Sequence, residues 1–173
     1  MKNALRLIIA LLSFAAIATA QQPSHDHQQH QDKKHHDEVN HRSDHAMGFS
    51  HAKTTHHFRL KSDGGIIEVT ANDAQDAASR DQIRQRLKHI AKKFAEGDFA
   101  APMFIHAKTP PGVPAMKRLK AEIKYQYEEI ERGAQVRIST GDAEAIKAIH
   151  EFLRFQIEDH QTGDSQEKTR SGF

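Results

Sequence analysis

The chain has 173 residues, with 25 Lys and Arg against 23 Asp and Glu, 14 His, and no Cys or Trp. The near balance of charge argues against unspecific nucleic-acid binding, which needs a broad basic field. Without cysteine there is no disulfide framework, thiolate metal site or thiol nucleophile, so stability rests on an ordinary core, for which the length suffices in one domain.

Residues 1–20, MKNALRLIIALLSFAAIATA, join Lys2 and Arg6 to an apolar run from Leu7 to about Ile17 and then to Ala18-Thr19-Ala20. This predicts a secretory signal peptide cleaved after Ala20. The run is shorter than the roughly 20 apolar residues that a membrane anchor needs, and no cysteine follows it to carry a lipid. The expected product is soluble, without a membrane anchor, in the periplasm or outside the cell. Loss of Lys2 and Arg6 leaves 23 basic side chains, equal to the 23 acidic ones.

Residues 21–53 are mostly Gln, His, Asp and Lys with scarcely an aliphatic side chain. Such a segment buries too little apolar surface to offset its ordering entropy, and it reads as a disordered His-rich arm. Met47-Gly48-Phe49 is the first point that can dock on a core.

A domain is expected over 54–164, followed by a flexible tail at 165–173. In its first part, 54–98, His56, Phe58 and Leu60 share one face of a strand and His57, Arg59 and Lys61 the other. Asp63-Gly64-Gly65 turns the chain, and Ile67, Val69 and Ala71 return inward. Ser79 and Gln82 read as a capping box, and Ile83, Leu87, Ile90 and Phe94 follow at helical spacing as far as Gly97. Residues 99–117 read as a Pro-rich connector in which Pro110, Pro111, Gly112 and Pro114 argue against a helix, with a short extended piece at Met103 to His106. Over 118–164 the pattern recurs. Leu119, Ala121, Ile123, Tyr125 and Tyr127 alternate, Arg132-Gly133 turns, and Val136 and Ile138 return. Asp142 is a candidate N-cap for a helix carrying Ile146, Ile149, Leu153 and Ile157 up to Gly163. Setting Ile83 on Ile149 also sets Leu87 on Leu153 and Gly97-Asp98 on Gly163-Asp164. The expected fold is α+β, a duplicated ββα unit forming a four-stranded antiparallel sheet with two helices on one face.

The chemistry lies in histidine. His25, His27, His30, His35, His36, His41 and His45 stand in the arm, with His51, His56 and His57 close behind. Neutral imidazole binds copper, zinc and nickel, a mobile chain can wrap several rings round one ion, and composition of this kind points to metal binding. Protons compete for the same nitrogens, so capture should weaken as the pH falls through about 6 to 7. His56 and His57 would be held by a strand, pointing to opposite sides; a satisfied core His56 and a solvated His57 is the plainer alternative. Weaker candidates are Met103 with His106, a pair that suits copper(I), and His150 and His160 on or beside the apolar arc of the last helix. A backbone carbonyl would satisfy those two rings as well as a metal.

No reaction is named. His150-Glu151 begins like HExxH, but Arg154 stands where the second histidine belongs; GxSxG, Walker and dinucleotide fingerprints are absent. Phe152 and Phe155 widen the apolar arc of the last helix, consistent with a homodimer or protein-partner surface, or with cover by the connector. The function expected is an exported protein that buffers, sequesters or delivers a transition metal. The alternatives are an interaction module with the arm as spacer, and a small hydrolase or redox enzyme, which would need His106, His150 and His160 in one cleft.

Overall fold

The computed structural model describes residues 25–168, with side chains from His30 onward. The expected signal peptide at 1–20, the start of the arm and the last five residues of the tail lie outside the described residues. In chain order the elements are α1 (His25–Met47), β1 (Thr54–Lys61), β2 (Gly64–Ala71), α2 (Ala77–Ala95), α3 (Ala100–His106), α4 (Val113–Arg118), β3 (Lys124–Ile130), β4 (Gly133–Ser139) and α5 (Ala143–Asp159). The protein is α+β, with one antiparallel sheet in the order β1-β2-β4-β3.

Period-two alternation puts Phe58, Leu60, Ile67, Val69, Ala134, Val136 and Ile138 on one buried face. Their cover comes from α2, lying over β4 and β3, and from α5, lying over β1 and β2. Ile83, Leu87 and Phe94 of α2 join Ile149, Phe152 and Leu153 of α5 in a single core. Hairpin then helix thus occurs twice. The central pairing runs from Gly64↔Ser139 to Thr70↔Gly133, so each strand begins with glycine opposite the end of the other. Asp76 and Asp142, 66 positions apart, cap α2 and α5 by accepting from the backbone N–H of Ser79 and Ala145. The cap of α2 is therefore Asp76, three residues before the expected Ser79. The Ser79 hydroxyl instead donates to the Asp76 carboxylate.

Three further parts differ from the sequence reading. Where a disordered arm is expected, His25–Met47 form α1, which lies along α3. Val39 is buried there, Arg42 Nε donates to the Ile105 carbonyl at 2.6 Å, and Phe49 beyond the helix enters the core. One aliphatic contact, a cap on a helix C-terminus and a following aromatic anchor take the place of an apolar stripe. In the connector, Met103 to His106 belong to α3 rather than to an extended piece, and α4 starts with Pro114 in its first turn, where the missing N–H costs nothing. Leu119 and Ala121 precede β3, because Lys120–Glu122 form a 3₁₀ turn before the strand begins at Lys124.

The start of α4 is pressed onto the backbone of α5. Gly112 has φ of 80°, and a Cβ there would land on the Ala148 carbonyl. Gly112→Ala should therefore destabilise the fold by at least about 2 kcal/mol, through left-handed strain and overpacking. Gly141→Ala, with nothing within 4 Å of an added Cβ, should stay within about 0.5 kcal/mol. Urea denaturation of the two variants checks this; equal midpoints would show that α4 does not seat as described.

Candidate functional site

The amphipathic pattern of α5 ends in a polar last turn. Ile149, Leu153 and Ile157 hold the helix on the sheet, and this sets Gln156, Asp159 and the capping residue His160 against β1, α3 and α1. His56 enters from the inner face of β1, His106 from the end of α3, and His35, His36 and Ser43 from α1.

Asp159 is the hub. Its Oδ2 accepts from His106 Nδ1 at 2.5 Å and its Oδ1 from His35 Nε2 at 2.9 Å. Burial pushes this carboxyl up, but the hydrogen bonds from His106 and His35 outweigh burial and hold it well below the usual carboxylate range. His106 is buried and donates from Nε2 to Gln156 Oε1 at 3.0 Å, so with Nδ1 also donating its ring carries hydrogen on both nitrogens, an imidazolium against the Asp159 carboxylate. The edge of the Phe155 ring meets His106 at 4.8 Å, and Lys108 Nζ lies 4.7 Å over that phenyl.

His56 and His160 lie with rings nearly parallel, 8° apart in plane and 5.9 Å between centroids, and His160 meets His106 at 5.0 Å. Phe49 and Phe58 complete the aromatic surround. Burial lowers His56 to about 4, with His51 and His57 adding to it and Asp44 opposing. Burial also lowers His160, to about 3, with His56, His106 and His36 adding to it and Asp159 opposing. Both rings are therefore neutral at neutral pH, and among the described residues neither makes a hydrogen bond. Both line two adjoining spaces. One is a cleft of about 230 Å³ with His36, Asn40 and His51 on its walls. The other is a half-open chamber of about 60 Å³ against the core. Among the described residues no three His, Asp or Glu side chains already stand together as a ligand set. The arrangement offers two neutral imidazoles, with His36 across the cleft and its buried Nδ1 unpaired.

The other expected residues are placed elsewhere. His30, His41 and His45 are exposed on α1, and the side chains of His25 and His27 lie outside those described. His51 bonds Asp44, and His57, on the opposite face of the sheet from His56, bonds Asp164 at 2.8 Å. The other oxygen of Asp164 accepts from the Phe58 N–H, which occupies the free edge of β1. His150 Nε2 points at the carbonyls of Lys61 and Gly64, at 2.9 and 3.1 Å. Thus His106 and His160 meet while His150 is occupied at the β1–β2 turn, and the three-histidine cleft required by the enzyme reading does not form. Met103 Sδ faces Lys117 Nζ at 3.9 Å, while both ring nitrogens of His106 are engaged by Asp159 and Gln156. Phe152 is wholly inside the core, and Phe155 is half-buried, with its ring against His106 and Lys108 Nζ over it.

Gln156, Asp159 and Ser43 are the site residues that sequence reasoning missed. The spacing of Gln156, Asp159 and His160 along one helix was a usable signal, but their partner His106 lies about fifty positions away. No family model, no curated protein and no solved structure matches this chain.

The two lowered histidines make acid stability a direct readout. Above pH 6.5 they are neutral in both folded and unfolded chains and contribute nothing to the pH dependence. Below it the unfolded chain takes up protons that the folded chain refuses, so stability falls by on the order of 1 kcal/mol per pH unit for each ring down to about pH 4. Asp159 acts in the same direction at lower pH, its contribution being present above the unfolded carboxylate range and lost as the pH falls through and below it. Urea midpoints of metal-free protein from pH 7.5 to 4.5 should drop steeply below 6.5, and His160→Phe should flatten the slope. An unchanged slope in that variant would contradict the buried neutral ring.

Proposed function

We propose that this is an exported protein that binds copper, zinc or nickel and buffers, sequesters or delivers it, with the expected signal peptide directing it to the periplasm or beyond. The observation that carries the reading is the pair of rings of His56 and His160. Two neutral rings, without hydrogen bonds among the described residues and held by a strand and a helix end, face a cleft that also bears His36 of α1 and His51. A neutral imidazole with a free lone pair is the ligand state for borderline cations. The polar outer face of α1, with His30 and His41, is the capture surface, and His56 and His160 with His36 are the retaining site. A fixed pair loses less rotamer entropy on binding than exposed rings on a helix surface, so the retaining site holds the ion more tightly.

The test is equilibrium dialysis of the full secreted chain against each of the three metals, followed by gel filtration. One equivalent of at least one metal should survive filtration, with further equivalents lost. The double variant His56→Phe with His160→Phe suits the aromatic surround and should keep the near-UV circular dichroism of the fold while losing the retained equivalent. Replacing His30 and His41 by Ser should remove only weakly held metal. Retention that is unaffected by the double variant, or no retention of any of the three, would overturn the reading.

A further inference from the structure

The chamber beside His56 and His160 has a composition that metal storage does not explain. Its walls are mainly apolar, with Met47, Phe58, Val69, Phe94, Ile105 and Phe152 among them. A site that only stores an ion is closed by protein ligands on every side, whereas one that acts on a second molecule keeps a position open. The chamber adjoins the cleft at His56, His160 and Ser43, which line both spaces.

Besides the two rings, Gln156 and Ser43 break the apolar lining. Gln156 is 4% exposed, and among the described residues its Nε2 makes no hydrogen bond. Its amide is held in place from the other end, since Oε1 accepts from His106 Nε2 and His106 is itself tied through Nδ1 to Asp159. With Oε1 occupied, the amide presents its NH₂ to the chamber. Ser43, 5% exposed, also lines it, and among the described residues its hydroxyl makes no hydrogen bond. Buried donors of this kind are normally matched. An apolar pocket with a few convergent polar groups is the usual form of a small-molecule site. The volume of about 60 Å³ exceeds the roughly 10–15 Å³ that one water requires and suits a molecule of two or three heavy atoms.

We propose that an ion held at His56 and His160 keeps one coordination position open on this chamber, where the Gln156 NH₂ and the Ser43 hydroxyl donate to a small acceptor ligand of two or three atoms, such as a triatomic anion or a diatomic. This rests on the metal-binding reading and extends it from holding an ion to presenting that ion to a second molecule. The apolar walls limit the water around the ligand, and the two donors orient it.

Azide is the probe, and copper(II) the metal, because azide bound to copper(II) gives a ligand-to-metal charge-transfer absorption band. The full secreted chain loaded with one equivalent of copper should develop this band saturably as azide is added. Gln156→Leu, read at equal copper content, should weaken azide binding about tenfold or more, as loss of a hydrogen bond to a charged acceptor does. Ser43→Ala should weaken it less, and it provides the same readout from a different element should Gln156→Leu not fold. Copper retained without an azide band, or azide affinity the same in wild type and both variants, would overturn the open chamber and leave the metal-binding reading standing. Failure to retain copper, zinc or nickel at all would overturn both.

Discussion

The azimuth of α5 is the constraint on which the remainder of the structure depends. Ala145, Ile149, Leu153 and Ile157 have to cover the inner face of β1 and β2, and hydrophobic burial of that face leaves the helix little freedom to rotate. Once this stripe is seated, the last turn has no freedom either. Gln156, Asp159 and His160 are delivered to one corner of the sheet, where β1 brings His56 and α3 brings His106. The core and the site are therefore consequences of the same helix, and a change in one propagates to the other.

Asp159 converts that corner into a junction of three segments. A carboxylate shared by His106 and His35 links α5 to α3 and α1, and the charge is retained despite burial because two donors stabilise it. The association of α1 with the domain is correspondingly polar. Arg42 on the C-terminal carbonyl of α3, His35 on Asp159 and His51 on Asp44 supply the contacts, with Val39 and Phe49 as the apolar points between them. Such a helix is held by directional bonds more than by area, and the cleft between it and the sheet stays open on this account.

Much of the domain was legible in the residues. Alternation in β1, β2 and β4, the turns at Asp63 and Arg132, and the stripes of Ile83-Leu87 and Ile149-Leu153 each encode their element locally, and the match of the two units across 66 positions pointed to hairpin then helix twice. The misreadings have physical causes. Proline density obscured α3 and α4, since proline disfavours a helix interior but is accepted in a first turn. Composition concealed α1, because a segment with one valine looks unable to pay for order when its partners are carbonyls and carboxylates elsewhere in the chain.

What the sequence determined by itself is the set of parts: a four-stranded α+β domain, a histidine-rich approach to it, and imidazole crowded into that approach as its most distinctive ligand chemistry. Only the tertiary structure decided which histidines are free. His150, His57 and His51 are engaged by carbonyls or carboxylates, whereas among the described residues the rings of His56 and His160 make no hydrogen bond and line the cleft. No local pattern carries that distinction, because whether a ring nitrogen is satisfied depends on atoms brought to it from distant elements, and these are placed only when the apolar faces have closed on one another.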